Sequence, residues 1–97
     1  HLPTAWIAAN DIIAAGAIRA LQQAGFAVPE DVSVIGFDDG SICAFTSPPL
    51  TTMRINRARL GELAVDRLLA LCRTPGDVVV KSTISVQLIE RESVRPV

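Results

Sequence analysis

Val32-Ser33-Val34-Ile35-Gly36-Phe37-Asp38-Asp39 is the stretch on which the fold reading turns. Its first six residues are apolar or small and rich in β-branched side chains, as in a strand covered on both faces. Two carboxylates and Gly40 then close it in a turn. Backwards along the chain, the connection Phe26-Ala27-Val28-Pro29-Glu30-Asp31 suits a loop because it contains a proline. Gly25 is the residue type that commonly follows a helix in the left-handed conformation. Before it, Ile13, Ala17, Ala20, Leu21 and Ala24 recur at spacings of three and four, which predicts one apolar helix face, with Arg19, Gln22 and Gln23 largely off it. Asn10 or Asp11 can cap that helix. Further back still, Ala5-Trp6-Ile7-Ala8-Ala9 is a second short apolar run, expected to be a buried strand with Trp6 in the core. Strand, helix and strand with short loops form a βαβ unit, whose crossover is right-handed and whose strands are parallel.

Forwards from Asp39, Ile42–Leu50 is expected to be irregular, since Pro48 and Pro49 block regular pairing. Thr51-Thr52-Met53-Arg54-Ile55 returns to strand character. Asn56 is a plausible cap for a helix reaching about Arg73, with Leu60, Leu63, Ala64, Leu68, Leu71 and Cys72 as its apolar positions and Thr74-Pro75-Gly76-Asp77 as its stop. From Thr83 to Ile89 the pattern alternates, with Ile84, Val86 and Leu88 on one face, which predicts a half-buried or edge strand. The tail from Arg91 to Val97 reads as polar.

The chain has 97 residues, 49% of them hydrophobic, and that apolar content excludes a disordered tail. A mean hydropathy of +0.39 is higher than an isolated small domain needs. Some apolar surface is therefore expected to meet a partner chain or a further part of the same chain, and the isolated segment is expected to aggregate. Nine Lys and Arg balance ten Asp and Glu without a basic stripe, so this segment is not expected to bind nucleic acid by itself. No apolar run is long enough to span a bilayer, and no membrane partner is expected. The start, His1-Leu2-Pro3-Thr4, reads as the interior of a longer chain, and His1 receives no role. Cys43 and Cys72 have no metal-ligand spacing and are expected to be free thiols in a reducing compartment.

Ligands of open parallel sheets bind beyond the carboxyl ends of the strands. Asn10 follows the first strand and Asp38 the second. An amide beside a carboxylate is a good receptor for hydroxyl groups, which points to a sugar-like or polyol-like ligand. The plainer alternatives are that Asn10 only caps a helix and that Asp38 and Asp39 only form a turn. An enzyme is not expected: no Ser or Cys nucleophile has a base placed beside it in sequence, no glycine loop cradles a phosphate, and no cofactor or metal is called for.

These residues resemble the LacI/GalR family of transcription regulators over nearly the whole chain. The resemblance is carried by Pro3-Thr4-Ala5 with Ala8-Ala9-Asn10-Asp11 and by Ala14-Ala15-Gly16-Ala17 with Arg19-Ala20-Leu21. It continues through Val28-Pro29-Glu30-Asp31-Val32-Ser33-Val34-Ile35-Gly36-Phe37-Asp38-Asp39 and Pro48-Pro49-Leu50-Thr51-Thr52-Met53-Arg54. Leu60-Gly61, Leu88 and Arg91-Glu92-Ser93 complete it. It implies an α/β parallel-sheet fold of the type I periplasmic-binding-protein kind, of which this chain is the C-terminal part. Residues 1–50 and 78–97 would belong mostly to the C-terminal subdomain, while 51–77 would form a crossing strand and a helix of the N-terminal subdomain. The implied function is small-molecule sensing, with Asn10 and Asp38 on the effector and Ile55 facing the ligand cleft. Many members carry Gln at the position of Ile55, so this chain loses one polar contact there.

Family members form side-by-side homodimers, which makes Ala14, Ala15, Ile42 and Phe45 candidates for the dimer contact, with intrachain core as the alternative reading. The implied partners are a sugar or polyol effector, a second copy, and operator DNA through a helix-turn-helix region absent from this chain. The implied location is the cytoplasm. A periplasmic sugar-binding protein of a transport system is the alternative, and the sequence upstream would separate the two.

Overall fold

The computed structural model describes residues 2–97; His1 lies outside the described residues. In chain order the elements are β1 (Ala5–Ile7), α1 (Asp11–Gln23), β2 (Ser33–Ile35), a 3-10 turn (Ser41–Ala44), β3 (Thr52–Arg54), α2 (Arg57–Arg73) and β4 (Gln87–Ile89). They fall into two compact units. The first holds the residues up to Arg54 together with Gln87–Val97, and the second is Ile55–Val86.

In the first unit β1 and β2 pair in parallel, with Ala5 opposite Ser33 and Ile7 opposite Ile35. This is the βαβ unit expected from the sequence. Beyond β2 the hydrogen bonding continues to the next segment, where Gly36 N–H donates to Thr51 O (2.9 Å) and Asp38 N–H to Met53 O (2.9 Å). β3 then pairs antiparallel with β4, Thr52 opposite Ile89. The alternating stretch from Thr83 forms a strand only over Gln87–Ile89.

The core of this unit is Ala14, Ile18, Leu21, Val28, Val32, Val34, Cys43 and Leu50. It corrects the expected face of α1. Ile13 is 53% exposed, and the helix turns Asp11, Ala14, Ile18 and Leu21 inward instead. α1 is apolar around most of its circumference, so more than one helical stripe satisfies the periodicity. The choice among them is made by Asp11, whose carboxylate is held from two other segments and sets the helix rotation.

The expectation for β1 is corrected as well. All three of its residues are exposed, Trp6 at 37%. Trp6, Ile7, Ile13 and Ala17 line an apolar groove that no described element covers.

The polar tail does more than its composition suggests. Ser93 is fully buried, and its hydroxyl donates to Val34 O (2.6 Å) while accepting from Thr51 N–H (2.8 Å). Val34 N–H in turn donates to Ser93 O (2.9 Å), so one residue stitches β2 to the start of β3.

The second unit is built on α2, which Asn56 caps as expected by accepting from Arg59 N–H (3.0 Å). None of the residues of α2 is buried, although Leu60, Leu63, Leu68 and Leu71 repeat along it. Arg67 reaches the carbonyl of Val78 (3.4 Å), and Leu60, Leu63, Ala64 and Ala70 face Val80 and Ile84 across an open groove. No helix of the described residues is long and apolar enough to cross a membrane.

Of the glycines, Gly36 is the most closely enclosed. A Cβ there would collide with Asp11 Oδ1 and lie 3.0 Å from Leu50 Cδ2 and 3.2 Å from the Asp11 Cα. The backbone contact cannot be relieved by a rotamer change. Gly36→Ala is therefore expected to destabilise the fold by about 1–3 kcal/mol, the usual cost of overpacking, read as a lowered urea midpoint. An unchanged midpoint would show that the Asp11 turn is looser than described.

Candidate functional site

β1 and β2 run in the same direction, so the residues that follow them leave the sheet at one edge. The parallel bonding persists past the strands proper, with Ala8 N–H donating to Ile35 O (2.9 Å) and Asp11 N–H to Phe37 O (3.1 Å). The second bond is offset by one residue from the register of the Ile7–Ile35 pair, and Asn10 and Asp38 each follow the carboxyl end of their strand. Both are half-buried.

Asn10 does cap α1. Its backbone is extended and its Oδ1 accepts from Ile13 N–H (2.9 Å). Capping engages the amide oxygen and not the amide nitrogen, so the two N–H donors of the side chain lie outside the cap. The capping and ligand readings of Asn10 are thus compatible.

Asp38 and Asp39 both have positive φ, 116° and 55°. Asp is one of the few non-glycine residues that tolerate this region, and the conformation still carries a strain of about 1–3 kcal/mol per residue. Bonds from β3 and from the segment after β4 support it. Asp38 N–H is bound to β3 as described above. Asp39 N–H donates to Thr52 Oγ1 at a long 3.3 Å. The Asp39 carboxylate accepts from Arg54 Nε through Oδ2 and from Arg91 Nη2 through Oδ1, both at 2.7 Å. Arg91 is itself fixed, its Nη1 donating to Leu50 O (2.9 Å) and its backbone N–H to Thr51 Oγ1 (2.8 Å). The hydrogen bonds from Arg91 and then Arg54 hold the Asp39 carboxyl below the usual carboxylate range.

Behind this turn lies Asp11, 3% exposed. Its Oδ1 accepts from the Thr52 hydroxyl (2.6 Å) and its Oδ2 from Gly40 N–H (2.7 Å). Cys43 packs against it, and burial first, then the hydrogen bond to Asp11, pushes the Cys43 thiol up to about 11.

The structure therefore brings Asn10 and Asp38 to one edge. Ile55 is the first residue of the second unit and is half-buried there. Of the dimer candidates, Ala14 is wholly inside the chain's own core, which is the intrachain alternative. Ala15 and Ile42 are half-buried, and Phe45 is 85% exposed. The sequence did not reveal the supports Asp11, Thr52, Arg91 and Ser93. Each acts on a segment between 13 and 59 residues away, and no local pattern marks such a partner. Among the described residues no group of three or more His, Cys, Asp or Glu side chains is placed to hold a metal ion.

Parallel strands joined by a helix, with polar residues following the strand ends, define a parallel-sheet α/β domain. The model of the periplasmic binding protein-like domain matches residues 1–94, and the chain belongs to that family. Its relatives are LacI/GalR-type repressors. It is 42% identical over 100 residues to the transcriptional repressor PurR of Haemophilus influenzae, covering all of this chain and 30% of that protein. It is 38% identical over 92 residues to the ribose operon repressor of the same species, covering 95% of this chain and 28% of that one. Among solved structures, the lac repressor dimer bound to operator and the anti-inducer ONPF superposes with a TM-score of 0.85 at 39% identity, covering 96% of this chain and 32% of that one. A LacI-family regulator from Enterococcus faecalis with bound ribose does so at 0.84 and 40% identity, covering 100% and 36%. The chain thus spans about a third of the length of these relatives or less.

Two measurements test the site's framework. The carboxyl of Asp39 titrates lower in the folded than in the unfolded state, whose value is about 3.9. Its contribution to stability is complete above that value and is lost as pH falls through the folded one. Asp39→Asn is expected to cost about 1–3 kcal/mol at neutral pH by urea unfolding, with the gap to the unaltered protein closing below about pH 4. A gap of equal size at both pH values would contradict the ion-pair account. For the thiols, both of which are free, iodoacetamide at about pH 8 is expected to label exposed Cys72 and to spare Cys43 until the fold is opened. Equal labelling rates in the native protein would contradict the burial of Cys43.

Proposed function

We propose that this chain is the effector-sensing segment of a LacI/GalR-type transcription regulator, and that Asn10 and Asp38 receive the hydroxyl groups of a sugar or polyol. The observation that carries the reading is that Asn10 and Asp38 both follow the carboxyl ends of one parallel strand pair, at the same edge of the sheet. The Asp38 carboxylate accepts two hydroxyl hydrogen bonds and the Asn10 amide donates to a hydroxyl oxygen, a complementary set for adjacent hydroxyls. The names of the relatives support a regulator in preference to a transport protein. The ribose bound to the Enterococcus protein supports a sugar ligand.

In this reading residues 1–50 and 78–97 belong mostly to the C-terminal subdomain, which supplies Asn10 and Asp38. Residues 51–77 form a crossing strand and a helix of the N-terminal subdomain, with Ile55 a further candidate for the effector. Phe45, Ala15 and Ile42 meet a second copy. Operator DNA is bound in the cytoplasm through a region outside this chain. The effector binds one arrangement of the subdomains better than another, and that difference in affinity is the coupling, typically about 1–3 kcal/mol.

The test uses the full-length regulator. A thermal-shift panel of ribose, galactose, glucose, lactose, maltose and sorbitol is expected to yield at least one sugar or polyol that raises the midpoint, and none doing so would overturn the reading. Asp38→Ala, titrated calorimetrically with that compound, is expected to lower affinity roughly a hundredfold by removing two charge-assisted hydrogen bonds, with the dimer intact. Unchanged affinity would remove Asp38 from the site.

A further inference from the structure

We propose that Asp39 is a positioning residue for effector capture: gripped by Arg54 and Arg91, it holds the turn that aims the Asp38 carboxylate. The inference rests on the assignment of Asp38 to the effector and adds a residue that itself touches no ligand.

Two consecutive non-glycine residues at positive φ do not persist by their own preference, because each is less stable there than in the ordinary regions of conformational space. Such a turn survives only where its surroundings over-determine it. On the Asp38 side the backbone N–H is bound to Met53 O within a bridge to Arg54, and on the far side Gly40 N–H is held by Asp11. Between them the backbone of Asp39 has only the long bond to Thr52 Oγ1, so its carboxylate is the strongest attachment of the residue. The two arginines approach different oxygens of that carboxylate, which fixes its plane as well as its position.

The environment makes this grip effective. The Asp39 side chain is 11% exposed and that of Arg91 24%, so the Arg91 pair is poorly screened, while Arg54 at 51% is the outer of the two. Arg91 arrives already immobilised by Leu50 O and Thr51 Oγ1, and little further ordering is needed to hold Asp39. A staple whose only task is to attach the tail has no need of a strained turn. The tail is already fastened by Ser93 through three hydrogen bonds to Val34 and Thr51. What the Asp39 grip adds is the direction in which the preceding residue leaves the sheet edge. For a receptor of adjacent hydroxyls that direction matters, since hydrogen bonds weaken steeply with angle.

The experiment is a double-mutant cycle in the full-length regulator. The probe is the compound from the panel of six that gives the largest thermal shift, and titrations are run well below the unfolding midpoint so that every variant is fully folded. Asp39→Asn keeps the shape and the tolerance for positive φ while removing the charge. It is expected to weaken binding about tenfold or more in the Asp38 background and to change it by less than twofold once Asp38→Asn is present. A residue that acts only on stability lowers the midpoint and leaves the affinity of the folded protein unchanged in both backgrounds, which would overturn the inference. Equal losses in both backgrounds would also overturn it, because they would indicate direct contact with the ligand. If Asp39→Asn does not fold, Arg54→Gln loosens the exposed half of the grip and must show the same dependence on Asp38, at smaller amplitude. Failure of the two readings is distinguishable. If Asp38→Asn alone leaves affinity unchanged, the effector assignment falls and this inference falls with it. If Asp38→Asn weakens binding while Asp39→Asn does not, only the positioning role is lost.

Discussion

The carboxylate of Asp11 lies almost fully buried between the hydroxyl of Thr52 and the backbone amide of Gly40. Those partners come from β3 and from the turn after β2, so a single side chain at the first position of α1 ties three segments of the first unit together. Both oxygens are used, and a buried carboxylate left without partners would cost several kcal/mol. The helix cannot rotate without breaking these bonds, which is why Ala14, Ile18 and Leu21 face inward and Ile12 and Ile13 face out. Gly36 lacks a side chain because this carboxylate and Leu50 occupy the space a Cβ would need.

The same constraint shapes the sheet edge. With α1 pinned by Asp11, Asn10 is left at the helix cap, where its Oδ1 faces Ile13 N–H. With the following turn pinned at Gly40, the chain between Phe37 and Gly40 must make its bend within two residues, and Asp38 and Asp39 adopt positive φ to do so. The ion pairs from Asp39 to Arg54 and Arg91 then join this bend to β3 and to the segment after β4. Support for the bend therefore comes from both ends of the chain's first unit.

Apolar surface is distributed unevenly. The first unit has a true core on the α1 side of β2, while β1 presents Ile7 at 82% exposure and α2 buries none of its leucines. The PurR repressor of Haemophilus influenzae is about three times the length of this chain, and a parallel sheet with helices is ordinarily covered on both faces. An amphipathic helix with no buried residue, such as α2, is likewise ordinarily stable through packing and not through propensity.

By itself the sequence determined the order and kind of the elements. The β-branched run before Asp38, the three-and-four spacing of α1 and the Asn56 cap of α2 are local signals, and local physics reads them. It also put Asn10 and Asp38 at strand ends, because parallel strands joined by a helix have their carboxyl ends at the same edge. Only the tertiary structure decided which stripe of α1 faces inward, that Trp6 is partly exposed, that the strand at Thr83 shortens to Gln87–Ile89, and that Arg91 and Ser93 are structural. A helix apolar around most of its girth offers several equivalent faces, and a buried carboxylate or a tail hydroxyl finds its partner across as many as 59 residues of chain. Neighbouring residues carry no trace of such pairings, which exist only once the chain has closed on itself.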